Sequence, residues 1–422
     1  MLGKVSRSFA AVIRQLPKGM CVDVLIFYLV LRALDTIEDD MEAFKGREQE
    51  KLEHLNNFYK VISQEGWSME GVGSGDERVL LEQYGHCVKV FNSLPLASQE
   101  VIKDITMRMG QGMAFFAKID LGQGTTTVEN YNLYCHYVAG LVGEGLSRLF
   151  TCCGYESNRV ERVSKTLANT MGLFLQKANI IRDYLEDYVD GRAFWPQEVW
   201  KKYVKNDLGE LAKPENRQLA VACLNDLITD ALECVPECVE YMELLKTEEV
   251  FRFCAIPQAM AIATLSELYN NPKVFTGVVK IRKGMAAKLI LDTKSVHGLY
   301  KWFYLFASDI RNRIPKNDPS AERTRQICDK IIDLTSEIGE PAVGVSYAVA
   351  INAIMPLAFS IGIIFLCYRS MMAGQFVLLD SAKATEFELL SASLTLFAIV
   401  FMATVHALIT YRKGRKLKRA DP

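Results

Sequence analysis

The chain has 422 residues, 50% of them hydrophobic and 23% charged, which excludes a disordered polypeptide. The formal net charge is −1, so no overall basic field argues for nucleic acid, and none is expected as a partner. The 11 cysteines are an odd number without a CxxC pair, and the 5 histidines form no HExxH; a disulfide framework and structural zinc are set aside, and a reducing compartment is expected.

Residues 1–17 carry Lys4, Arg7 and Arg14 and no long apolar core, so no signal peptide is read there. Helical periodicity follows over 18–40 and 46–64. The stretch Gly66 to Gly75 interrupts it. Gly71, Gly73 and Gly75 follow a helix and not a strand, so they make no dinucleotide fingerprint; the segment reads as a mobile flap. Helices are expected again over 76–92, 97–118 and 127–151, the last opened by a capping box of Thr126 and Glu129. Within it, Ala139, Gly140, Gly143 and Gly145 imply close approach by another helix or by a long apolar ligand, since each helical Gly costs about 1 kcal/mol. Tyr134 and Tyr137 offer phenols there. A helix over 160–189 is stopped by Gly191, and Pro196 suits a new first turn. Helices over 217–245, 249–270, 285–312 and 320–338 complete an all-α body. No period-2 alternation occurs, so residues 1–338 read as one all-α catalytic domain held open by a central cavity.

Charge divides beyond that point. Residues 1–340 hold 41 basic and 46 acidic residues, and the rest hold eight basic and four acidic. Residues 341–368 and 389–411 contain no Asp, Glu, Lys or Arg, and each run is long enough to span a bilayer as helix. The basic tail 412–422 includes RKGRKLKR, which positive-inside logic places in the cytosol. Two spans then put the catalytic domain on the same side, anchored to a membrane by 341–411.

Two acidic clusters carry the chemistry. Asp35, Glu38 and Asp39 share one helix face, as do Asp183, Glu186 and Asp187. The helix over 18–40 is apolar nearly all round, except for one line of Tyr28, Arg32, Asp35 and Asp39 at steps of four, three and four. The helix over 160–189 repeats the device with Gln176, Asn179, Asp183 and Asp187. Carboxylates buried without partners are prohibitively costly, so the two stripes are expected to face each other across a cavity. Such a site suits Mg²⁺, which prefers carboxylate oxygens and bridges to a diphosphate. Arg7, Arg32, Arg182 and Arg192 lie near enough to bind phosphate oxygens, or to serve as counter-ions. Asp40 falls off the stripe and is expected to matter little.

VSRSFAAVI (5–13), FYLVLRALDTIEDDM (27–41), YCHYVAGLVG (134–143), LFLQKANIIRDYLED (173–187), GRAFWPQEVW (191–200), FCAIPQAMAIATL (253–265) and VKIRKG (279–284) closely resemble the squalene synthases, the farnesyl-diphosphate farnesyltransferases. The likeness runs from residue 5 to about 315. It implies the isoprenoid-synthase fold and condensation of two farnesyl diphosphates to presqualene diphosphate, followed by reductive rearrangement to squalene with NADPH, or NADH in its place. By motif it implies Asp35, Glu38, Asp39, Asp183 and Asp187 as Mg²⁺ residues, four of them catalytic (Asp35, Asp39, Asp183 and Asp187). It assigns Ser6, Arg7, Ser8, Phe9, Tyr28, Arg32, Ala139, Gly143, Gln176, Asn179, Arg182, Arg192, Phe253, Cys254 and Pro257 to substrate. Tyr134 matches the tyrosine that takes a proton in the first step. Asn179, Lys280, Arg282 and Lys283 are implied for the nicotinamide cofactor. The family's C-terminal anchor implies an endoplasmic reticulum membrane, with a monomeric catalytic domain facing the cytosol. Members of the family carry a further helix before SRSF, so the chain is expected to begin internally. Phytoene synthases share the fold and the first half-reaction but use no nicotinamide and normally have no anchor; VKIRKG and the two apolar runs weigh against them. A non-catalytic membrane scaffold leaves the two acid-bearing apolar helices without a purpose.

Overall fold

The apolar pattern over 18–40 forms the helix Lys18–Asp39 in a computed structural model that describes residues 2–5 and 7–339. Pro17, with φ −53°, leads into it. Met20, Val24, Phe27, Val30, Leu34 and Ile37 are buried along it, each large side chain contributing roughly 1.5–3 kcal/mol. Every regular element among the described residues is helical. The helix Asn169–Arg182 packs against Leu141–Cys152, Arg217–Leu232, Val235–Leu244 and Glu248–Leu268. It therefore runs through the interior of the body. Its Lys177, 4% exposed, is paired with Asp230 at 2.7 Å, which ties it to Arg217–Leu232 without leaving a buried charge alone.

Several expected helices are broken where the local chemistry demands it. The helix over 217–245 ends at Leu232 and restarts at Val235, with Pro236 in the first turn, where its missing N–H is harmless. The helix over 285–312 divides into Lys283–Asp292 and Val296–Asn312, because Ser295 caps the second by accepting the Gly298 N–H. The 76–92 helix splits into Gly75–Glu82 and Gly85–Ser93. The cap expected at Thr126 sits one residue later. Thr127 accepts the Asn130 N–H, and the distant Glu198, not Glu129, receives the Val128 N–H at 2.9 Å.

The glycine-rich helix resolves into Val128–Cys135 and Leu141–Cys152, joined by a π turn at His136–Gly140. A second π turn, Ser164–Ala168, leads into Asn169–Arg182. Each turn packs its backbone against the helix that follows the other. A Cβ on Gly143 would lie 2.1 Å from the Ala168 carbonyl oxygen, and one on Gly172 would lie 2.2 Å from that of Ala139. Helix approach is thus one reason for these glycines. Ligand approach is the other, since Ala139 and Gly143 also line the cavity described below. Wide turns of this kind are frequent at functional sites.

The apolar runs 341–368 and 389–411 lie outside the described residues, as does the tail 412–422. No described helix is long and apolar enough to cross a membrane.

Candidate active site

An apolar cavity of about 270 Å³ lies among Lys18–Asp39, Leu141–Cys152, Asn169–Arg182 and Glu248–Leu268. Phe27, Leu31, Val142, Leu146, Leu175 and Phe253 give it hydrocarbon walls, and Ala139, Gly143, Cys254 and Pro257 complete them. Tyr28, Arg32, Asp35, Gln176, Asn179, Tyr241 and Gln258 are its polar residues. A second cavity of about 620 Å³ is lined by Asp39, Glu42, Tyr134, Asp183, Asp187, Asp190 and Arg192. Gln176 and Asn179 belong to both walls, so the two spaces adjoin. Carboxylates 141 residues or more apart in sequence therefore face one space, and an apolar chamber continues beyond it. A short break at Asp183, where φ and ψ leave helical values, separates Asn169–Arg182 from Tyr184–Val189. It does not turn Asp183 or Asp187 away from the cavity.

Arg192, whose backbone N–H bonds to the Asp187 carbonyl at 2.9 Å, reaches the first cluster with its side chain. It donates to Glu38 Oε1 at 2.6 Å and to Asp39 Oδ1 at 2.5 Å. Gly191, at φ +72°, makes the turn that brings it back. Arg182 donates to its neighbour Asp183 at 2.7 and 2.5 Å, and Arg32 pairs with Glu77 at 3.6 Å. All three are counter-ions in this state and remain able to exchange a carboxylate for a phosphate oxygen. Phe9 packs on Tyr28 at 5.6 Å and lines the apolar chamber. Ser6 and the side chains of Arg7 and Ser8 lie outside the described residues.

Burial pushes the Asp35 carboxyl up to about 8, against the pull of Arg32 and with repulsion from Asp39 and Glu38. It likewise pushes Glu38 and Asp187 up to about 7, each opposed by Arg192. These acids are thus short of positive charge. Their donor set is entirely carboxylate oxygen, which fits a hard divalent cation. No three His, Cys, Asp or Glu side chains among the described residues stand close enough to enclose one already; Arg192 and Arg182 hold the acids instead. Tyr134 is buried and stacks on Phe194 at 4.4 Å. Burial raises its phenol well above the ordinary range, so it is held protonated.

Lys280, Arg282 and Lys283 are exposed and line neither cavity. Their segment departs from Phe275, which packs on Tyr184 at 5.1 Å and Trp195 at 5.9 Å, beside the second acidic cluster. The pattern of the sequence missed Glu42 and Asp190. Each continues a step of three from Asp39 or Asp187, but beyond the end of its helix, where periodicity gives no signal.

Asp40 proves to be more than an off-stripe acid. Its carboxylate accepts the N–H groups of Glu42, Ala43 and, at 2.7 Å, Gly73. Backbone hydrogen bonds to Ala43, Gly73 and Glu42 hold its carboxyl low, outweighing partial burial. Gly73, at φ +81°, also packs where a Cβ would meet the Thr36 methyl at 2.4 Å. The glycine-rich stretch is thereby fastened to the end of the first acidic helix. Asp40→Ala is expected to cost about 1–2 kcal/mol of stability through these lost charge-assisted bonds, read as a shift of the urea midpoint. An unchanged midpoint would show that the tether contributes nothing.

Comparison with known proteins agrees with this geometry. Residues 2–284 match the Squalene/phytoene synthase family model. The human squalene synthase is 50% identical over 330 residues, 78% of this chain and 77% of that protein. The Nicotiana benthamiana squalene synthase is 45% identical over 342 residues, 80% of each. The solved complex of TcSQS with the ligand E5700 superposes with a TM-score of 0.76 at 42% identity, covering 80% of this chain and 96% of that one.

Proposed function

The chain belongs to the squalene/phytoene synthase family, and from that membership we propose that it acts as a squalene synthase, condensing two farnesyl diphosphates to presqualene diphosphate and reducing that intermediate to squalene. The observation that carries this reading is the pair of acid-bearing helices that face one space continuous with an apolar chamber. The chamber takes the farnesyl chains, and the acidic space takes the diphosphates.

Asp35, Glu38, Asp39, Asp183 and Asp187 would hold Mg²⁺, which when bound supplies positive charge against the leaving diphosphate. Arg192, Arg182 and Arg32 add fixed guanidinium donors for its oxygens as their carboxylates turn to the metal. The first step joins two farnesyl units, breaks one C–O bond to diphosphate and releases one proton. The Tyr134 hydroxyl, held protonated by burial, passes that proton towards the departing diphosphate and does not act as a free phenolate. The faces of Tyr134 and Phe194 lie against developing positive charge on carbon. Phe253, Cys254 and Pro257 wall the deeper chamber, where water is excluded and a rearranging carbocation is protected from capture.

NADPH, when bound, would supply the hydride of the second step, and its phosphates suit the exposed cations Lys280, Arg282 and Lys283. Incubating the full chain in lipid vesicles with farnesyl diphosphate and Mg²⁺ tests the scheme. Squalene is expected only when NADPH is present, and presqualene diphosphate is expected to accumulate without it. Lys280→Gln with Arg282→Gln should raise the KM for NADPH about tenfold or more while farnesyl diphosphate consumption holds, the cost of two lost phosphate contacts. Failure to consume farnesyl diphosphate under either condition overturns the assignment, and a product unaffected by NADPH marks a phytoene-type reaction instead.

The runs 341–368 and 389–411 anchor the catalytic body to the cytosolic face of the endoplasmic reticulum membrane. The apolar product favours that location, since it partitions directly into the bilayer. A chain ending at Gly339 is expected to leave the membrane fraction and keep its turnover, because every proposed site residue precedes residue 284. Loss of turnover with an unchanged melting temperature would give the C-terminal region a role beyond tethering.

A further inference from the structure

The helix Leu141–Cys152 ends in two adjacent cysteines that the squalene synthase reaction does not use. Cys152 is the one exposed cysteine among the described residues. The buried hydroxyl of Ser98 stands 3.9 Å from the Cys152 sulfur and 3.9 Å from that of Cys153, so one group brackets both. A third group faces them from the helix Lys18–Asp39. Asp23 is 4% exposed, and its Oδ1 has no hydrogen-bond partner among the described residues. Its charge raises the pKa of both thiols. The Cys152 thiol donates to the Leu149 carbonyl at 3.6 Å; the neighbouring Cys153 pulls the pKa of Cys152 down, and Cys152 pushes that of Cys153 up. Burial pushes the thiols of Cys87, Cys135, Cys238 and Cys254 up and leaves them inert.

We propose that Cys152 and Cys153 form an oxidation site for hydroperoxides, with Cys152 as the attacking thiol and Cys153 as the resolving one. The Cys152 thiolate attacks the peroxide O–O bond and becomes a sulfenic acid, and the second oxygen leaves as water after taking one proton. The Cys153 sulfur then displaces hydroxide from Cys152, forming the S–S bond. Hydroxide leaves as water with the Cys153 proton. Two thiols lose two electrons and two protons, and hydrogen peroxide becomes two waters.

Closure has a structural consequence. Adjacent Cα atoms are about 3.8 Å apart, below the usual disulfide span, so the last helical turn must rearrange and the bond is easily reduced. The Cys153 N–H bonds to the Leu149 carbonyl at 3.0 Å, and the Phe150 carbonyl accepts the N–H groups of Tyr155 and Glu156 at 3.0 Å each. Phe150 lines the apolar chamber. Oxidation therefore reaches the substrate wall through its backbone.

The test exposes the full chain in vesicles to one to five equivalents of hydrogen peroxide and follows the tryptic peptide 149–159 by mass spectrometry. Loss of two hydrogens from that peptide is expected before any change at Cys21 or Cys254, with restoration by dithiothreitol. Cys153→Ser should trap a sulfenic acid at Cys152 that dimedone labels, and Cys152→Ser should give neither product. Turnover of the unmodified chain should fall at least threefold and recover on reduction, while the double variant keeps its turnover in peroxide. Oxidation of peptide 149–159 no faster than of the Cys21 and Cys254 peptides overturns the site. Full turnover with the pair oxidised overturns its coupling to the chamber.

Discussion

Arg192→Ala is expected to lower farnesyl diphosphate turnover by about 10²-fold or more, since a guanidinium aimed at the leaving diphosphate is lost. It should also destabilise the fold. Glu38 is 8% exposed on its side chain and Arg192 17%, and removing one partner of such a buried pair costs about 3–5 kcal/mol. Both losses come from one residue because, among the described residues, Arg192 alone spans Glu38 and Asp39. Arg192→Lys separates them. A lysine keeps the charge but cannot donate to two carboxylates in the same fixed fork, so it should restore much of the stability and less of the turnover. The measurements are steady-state kinetics beside thermal melts for both variants. An Arg192→Lys protein equal to the unmodified chain in both would remove the two-carboxylate bridge from the account.

Asp35→Asn is expected to cost about 10²-fold or more in rate while raising the melting temperature of the metal-free protein. The carboxyl of Asp35 titrates near its usual 3.8 when unfolded and at about 8 when folded. Between those values unfolding releases a proton, so the burden on the fold grows as pH rises through that window. Asparagine carries no such burden. In a chelator, the melting temperature of the variant relative to the unmodified chain should climb from about pH 5 to about pH 8. Added Mg²⁺ should narrow the gap by supplying the charge that Asp35 lacks. Asp183→Asn should show a comparable rate loss, since Asp183 lines the acidic space from the opposite helix. A rate near normal in either variant, with unchanged Mg²⁺ dependence, would mean that the two helices do not serve one metal-diphosphate site.

The existence of two apolar helices, each with one polar line, was legible in the sequence because side-chain direction on a helix follows from spacing alone. Tyr28, Arg32 and Asp35 fall on the wall of one chamber, and Gln176, Asn179, Asp183 and Asp187 on the wall of the next, as that spacing requires. The all-helical body and the glycines needed for close approach were readable for the same local reason. Partner choice was not. Spacing cannot tell a guanidinium that meets a phosphate from one that already holds a carboxylate, so the bridge from Arg192 to Glu38 and Asp39, 154 and 153 residues away, appears only when the chain is folded. Spacing likewise could not foresee that Asp40, off the stripe, fastens Gly73, or that Glu198 caps the helix at Val128. Backbone N–H groups need an acceptor wherever tertiary packing brings one, and which acceptor arrives is decided by contacts between segments distant in the sequence. What the sequence determined by itself is the periodic placement of polar groups on helices. What only the tertiary structure decided is which of those groups meet, because pairing energies act over a few ångströms between residues that spacing leaves unrelated.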